Sequence, residues 1–185
     1  NVFAGTEATK QPSLFTNAKS AYVIEKESGI SVFEPEELPE LTVIDTGGMA
    51  QMPNLKGNFV FPKLEVLNGF NQSTNIESVT AVNAKSIAAN AFKNCSNLKF
   101  VDFNPALTNI GTSAFYSCSK LERITAYIPD TCESDFGTAF EYCKSLAMPL
   151  RIANQKITKL AAEAFRAPAF LFEGPVEIYS PITSV

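Results

Sequence analysis

The dipeptide Ala-Phe recurs at Ala91-Phe92, Ala114-Phe115, Ala139-Phe140 and Ala164-Phe165, at intervals of 23, 25 and 25 residues. A near-constant period of twenty-odd residues is the mark of a solenoid. Each repeat is one winding of the chain, and a single winding cannot bury its apolar side alone. Stacked windings bury it against each other, so contacts run mainly between neighbours. Such a chain displays a long surface and seldom builds a deep pocket. Recognition is therefore expected ahead of catalysis.

The positions around each Ala-Phe recur with it. One copy reads Ile110-Gly-Thr-Ser-Ala114-Phe115-Tyr-Ser-Cys118, followed by Leu121 and Ile124. The copy before it aligns Ile87, Ala91, Phe92, Cys95, Leu98, Val101 and Phe103. The next, Phe136-Gly-Thr-Ala139-Phe140, keeps Cys143 and Leu146 but is one residue shorter before its Ala. The last keeps Leu160, Ala164, Phe165 and Leu171 and has Pro168 in the Cys position. Weaker copies lie upstream. Phe70, Ser73 and Ile76 precede Phe92, Cys95 and Leu98 by 22 residues, and Met49, Met52 and Leu55 precede those by a further 21. Six coils are counted between about Leu41 and Leu171, with degenerate ends where a terminal coil has one neighbour only.

Within a coil, the stretch Leu-x-x-Ile/Val-x-apolar, at Leu98–Phe103 and Leu121–Ala126, reads as a short strand with alternate residues inward. Strands of successive coils should pair in parallel about 4.8 Å apart. The Ile-x-x-x-Ala-Phe-x-x-Cys stretch returns the chain as a turn with one helical turn. Ala permits close backbone approach, Phe fills the interior, and Cys acts as a small buried hydrophobe.

This pattern, Leu-x-x-Ile…Ile-Gly-x-x-Ala-Phe-x-x-Cys-x-x-Leu, resembles the BspA-like class of leucine-rich repeats, best between Leu98 and Leu121. The likeness runs from Leu64 to Leu171, extends weakly to Leu41, and departs from the pattern at Phe136-Gly-Thr-Ala139, Pro149 and Pro168. It implies an extracellular or cell-surface interaction module of bacterial type, in some members an adhesin, and it carries over no catalytic residue. The expected fold is α/β: a leucine-rich-repeat solenoid with a short parallel sheet on one face and loops with short helical turns on the other. Residues 1–20 read as a linker. Residues 21–40 read as a β-hairpin cap (Ala21–Phe33) followed by the acidic connector Glu34–Glu40. The solenoid occupies 41–175, and 176–185 form a C-terminal end.

Composition narrows the chemistry. The chain of 185 residues contains no His, which excludes Ser-His-Asp and Cys-His nucleophile pairs and removes the commonest metal ligand. Its net charge of −4 with scattered lysines provides no basic stripe for a nucleic-acid backbone. No apolar run reaches the roughly 20 residues that span a bilayer, so no membrane insertion is expected of this segment. The chain begins at Asn1, which fits removal of a signal peptide and equally fits a truncated piece. Glu34, Glu36, Glu37 and Glu40 are its densest acidic group, read as a solvated linker, with calcium binding the sharper alternative. Asn71-Gln-Ser73 and Asn94-Cys-Ser96 match the glycosylation triplet but fall on packed turns. Cys95, Cys118 and Cys143 share one interior slot and are expected to be free buried thiols, although stacking would bring them within disulfide reach; Cys132 lies outside that slot.

Strand alternation marks the candidate binding face. Ser78 and Thr80, Phe100 and Asp102, then Arg123, Thr125 and Tyr127 should point outward from consecutive strands. Phe100 is the most informative, because a large aromatic on an outer sheet face marks either a contact site or a packed contact with a neighbour such as Tyr127. The favoured function is non-enzymatic recognition of a host or bacterial surface protein or glycan, without cofactor or metal. The alternatives are a structural spacer within a larger surface protein and, further behind, a carboxylate hydrolase.

Overall fold

In the computed structural model, residues 20–21, 40–44, 46, 48–52, 55–124, 131–134, 136–146, 150–152, 156–166 and 176–178 are described. Most of the expected hairpin and the acidic connector lie outside them, as do Pro149, Pro168, Thr125 and Tyr127. The described chain is a parallel β-solenoid. Its main ladder contains β3 (Lys56–Val60), β5 (Asn75–Ala81), β7 (Phe100–Phe103) and β9 (Arg123–Ile124), in that order and all parallel. Three windings of the chain separate the first strand from the fourth. The register aligns Phe59, Val79, Val101 and Ile124, all buried, as one inward row.

The return path differs from expectation. A second parallel sheet runs along it, built from β4 (Val66–Leu67), β6 (Ser86–Ile87) and β8 (Asn109–Ile110). Leu67, Ile87 and Ile110 are its inward residues. The Ala-Phe segment that follows is a run of turns, and no helix occurs among the described residues. The backbone hydrogen bonds explain why. Ala88 N donates to Leu67 O (2.9 Å), and Gly111 N donates to Ile87 O (2.8 Å). At the turns, Phe70 N donates to Ala91 O (2.8 Å), Phe92 N to Ala114 O (2.7 Å), Phe115 N to Ala139 O (2.8 Å) and Phe140 N to Ala164 O (2.9 Å). A helix satisfies its amides internally, whereas these amides are committed to a neighbouring winding, the preceding one for Ala88 and Gly111 and the next one for the Phe residues. Each coil is thus bonded to its neighbour along both sheets and along the turns.

Gly111 shows how close the windings come: a Cβ there would sit 2.4 Å from Ala89 N. At the ends, β1 (Ser20–Ala21) pairs in parallel with β2 (Val43–Ile44), and β10 (Leu150–Ile152) with β11 (Val176–Ile178).

Phe70, Phe92, Phe115, Phe140 and Phe165 stack in one column through the core. Successive ring centroids are 5.1, 5.4, 5.3 and 5.2 Å apart, and adjacent planes lie within 13° of parallel. Windings rise by about 4.8 Å, more than the ~3.5 Å thickness of a ring, so the rings slide into the offset stack that their quadrupoles favour.

The Cys slot has a job beyond filling space. Cys95 Sγ donates to Phe70 O (3.0 Å), Cys118 Sγ to Phe92 O (3.0 Å) and Cys143 Sγ to Phe115 O (3.1 Å). These carbonyls also accept a backbone N–H from their own coil, Ser73 N, Cys95 N and Cys118 N respectively. The side chain therefore fills the second lone pair of a buried carbonyl, which explains why Ser73 can replace Cys. Its Oγ donates to Met49 O and accepts from Met52 N. Cys95, Cys118 and Cys143 are buried thiols with no disulfide between them, and Cys132 is buried as well. Burial pushes the Cys95 and Cys143 thiols up to about 12. It also holds Cys118 well above its usual range, assisted by its two Cys neighbours.

This core sets two expected outcomes. Phe115→Ala should cost about 3–5 kcal/mol in chemical denaturation, whereas replacing the exposed Val82 by Ser should change stability by less than about 0.5 kcal/mol. Thiol titration at pH 8 should label none of the column cysteines in the folded chain and all of them in denaturant, because the thiolate is the reactive form.

Candidate interaction face

The outer half of the main sheet follows from the same register. Asn58, Ser78, Phe100 and Arg123 lie side by side on the four strands, and Val60, Thr80 and Asp102 form the next row. Five of the seven residues expected on this face are thereby brought together: Ser78, Thr80, Phe100, Asp102 and Arg123. Thr125 and Tyr127 lie outside the described residues.

The face is less open than alternation alone suggests. Arg123 is exposed, but Ser78, Thr80, Phe100 and Asp102 are half-buried. Ser78 Oγ donates to Asn58 Oδ1 at 2.7 Å, and the Thr80 carbonyl accepts from Phe61 N at 2.8 Å. Phe100 owes its partial cover to Arg123, whose guanidinium carbon lies 4.7 Å from the ring centroid. The same guanidinium places Nη1 3.4 Å from Asp102 Oδ1. Arg123 thus bridges a ring and a carboxylate on the preceding strand. The ring contact is worth about 0.5–1 kcal/mol at an exposed position. The ion pair, with side chains 51% and 38% exposed, adds less than about 1 kcal/mol after solvent screening. An approaching partner could displace this cover at small cost. Strand alternation puts Phe100, Asp102 and Arg123 on the outward rows of consecutive strands but misses the stacking. The signal is there, since Phe100 and Arg123 are 23 residues apart, the spacing of Ala91 and Ala114.

Polar ladders border the face. Asn97 Nδ2 donates to Asn75 Oδ1 at 3.2 Å, and Lys120 Nζ donates to Asn97 Oδ1 at 2.7 Å. Lys99 is 2.9 Å from Glu77, and that hydrogen bond raises the lysine above its ordinary pKa. On the opposite border Glu40 is 2.6 Å from Lys63; the other three glutamates of the acidic group are outside the described residues. Among the described residues no group of three or more His, Cys, Asp and Glu side chains is arranged to hold a metal ion.

A family model described as BspA type leucine rich repeat region matches residues 67–170 in six copies. The chain belongs to that family. The match covers more than half of the 185 residues and starts at Leu67, on the second sheet of the solenoid. No curated protein and no solved structure matches the chain. As a BspA-type repeat module, the protein repeats its Leu, Ile/Val, Ala, Phe and Cys residues on the inside, while the outer rows differ from coil to coil.

A double-mutant cycle with Asp102→Ala and Arg123→Ala should return a coupling below about 1 kcal/mol. A larger coupling in denaturant melts would mean that the pair is structural.

Proposed function

We propose that this chain is a non-catalytic recognition module, displayed outside the cell or on its surface, that binds a protein or glycan through the outer face of its four-stranded sheet. The observation that carries the reading is Phe100, an aromatic ring on the outer row, covered by the long side chain of Arg123. Arg and aromatic residues are the side chains that most often dominate binding energy at interfaces. Here they sit together on one row, next to Asp102, with hydroxyl and amide groups of Ser78 and Asn58 alongside. The family supports display on a bacterial surface, since BspA-type repeats are associated with surface and secreted proteins. A spacer needs no such cluster, and the absence of His leaves no nucleophile–base pair of the His-dependent kinds.

The test is a binding screen of the purified chain against extracellular matrix proteins and glycans, followed by Phe100→Ala and Arg123→Ala. Each variant should weaken binding at least about tenfold, or 1.4 kcal/mol, while the melting temperature stays within a few degrees. Undiminished binding by both variants would place the contact elsewhere.

A further inference from the structure

We propose a second binding site on the turn side of the solenoid, where Tyr142, Ser117, Ser119 and Lys144 line a shallow groove suited to an acidic saccharide. This site is separate from the sheet face and does not rest on the reading given for it.

The first observation is a backbone conformation at odds with its side chain. Two positions after Phe70, Phe92, Phe115 and Phe140, and after Met49 in the first copy, the chain turns through the left-handed region. The φ values are 55° at Gln51, 62° at Gln72, 62° at Asn94, 58° at Ser117 and 62° at Tyr142. Four of these positions hold a short hydroxyl or an amide side chain; one holds a bulky aromatic. Left-handed φ is readily adopted by Asn, whereas a bulky ring is a true outlier there. Tyr142 is only half-buried, so core packing does not compensate for the strain. Strain of this kind gathers at functional sites. The turn alone would be better served by Asn, as at Asn94.

The second observation is what surrounds that ring. Tyr142 meets Tyr116 of the preceding coil edge to face, with centroids 5.4 Å apart and planes at 83°. Lys93 Nζ lies 5.2 Å from the Tyr116 centroid, which extends the row by one coil. Tyr142 then lines an open groove with Ser117, Ser119 and Lys144. Acidic groups nearby are already engaged. Arg166 Nη1 is 3.8 Å from the buried Glu141 and 2.5 Å from Glu163. Lys144 therefore brings an ammonium group to the groove wall, with Lys93 at the far end of the tyrosine row, on a chain of net charge −4.

Aromatic ring, hydroxyls and ammonium group select a ligand class. A pyranose offers an apolar C–H face to a tyrosine ring and hydroxyls to Ser117 and Ser119, while a carboxylate or sulfate on the sugar pairs with Lys144. A phosphopeptide fits less well, because the Arg166 guanidinium already holds two carboxylates.

The test titrates the full chain by calorimetry with hyaluronan hexasaccharide (carboxylated), heparin hexasaccharide (sulfated) and neutral cellohexaose. At least one acidic probe should bind with Kd below about 1 mM and at least about tenfold more tightly than the neutral one; which of the two binds identifies the acidic group. Tyr142→Asn should weaken that binding at least about tenfold and melt no lower than the parent chain, or higher by about 2–4 °C as strain is released. Lys144→Gln should weaken it and flatten its salt dependence. Val82→Ser, at an exposed position outside both faces, should leave it unchanged. The proposal is overturned by any of four results: neither acidic probe binds, cellohexaose binds equally well, Tyr142→Asn retains binding, or Tyr142→Asn loses both binding and melting temperature, which would make the ring structural.

Discussion

One distance governs this molecule: the rise of about 4.8 Å between successive windings, set by backbone hydrogen bonding between parallel strands. Once the turns are held to the same spacing as the sheets, every position of a coil faces its own copy in the next. A ring then lies on a ring, a thiol beneath the carbonyl of the neighbouring coil, and Ala or Gly where backbones nearly touch. The column from Phe70 to Phe165, with centroid spacings of 5.1–5.4 Å, is the visible outcome. Removing Phe92, Phe115 or Phe140 leaves an unfilled slot between two neighbours that cannot close independently.

The same repetition separates stability from recognition. Inward rows are dry, so their cost of substitution is high. Outward rows are held by contacts worth about a kcal/mol or less, such as Arg123 over Phe100 and Asp102. Side chains there can differ from coil to coil without disturbing the stack. The two surface features argued to bind ligands both lie where a coil departs from its neighbours: an aromatic on the outer strand row, and a tyrosine in a slot that otherwise takes short polar or amide side chains.

How far the sequence can be read depends on how each feature is encoded. The Phe column and the main ladder are legible, because a large apolar residue returning at a fixed interval must be buried by its own copies. The second sheet is not, since β4, β6 and β8 are two residues long and show no alternation of their own. The segment after them looks compatible with a helical turn, a reading that the inter-coil hydrogen bonds of Ala88, Phe92 and Gly111 displace. The cysteines are recognisable as interior residues, yet their role as donors to Phe carbonyls needs the alignment of two coils. Ser73 standing in the slot that Cys95, Cys118 and Cys143 occupy is the clue. On the outer face, alternation identifies the correct rows but overstates their exposure, because it cannot say which long side chain folds back over which ring.

By itself, then, the sequence determined a solenoid, its period, its inward residues and its family. These properties repeat, and repetition survives without coordinates. Tertiary structure decided everything that depends on a contact between different coils: the second ladder, the second lone pair filled by each thiol, the guanidinium over Phe100, and the left-handed turn that Tyr142 is made to occupy. The contacts involved span 20 to 28 residues of chain, within reach only after the windings have come to rest on one another.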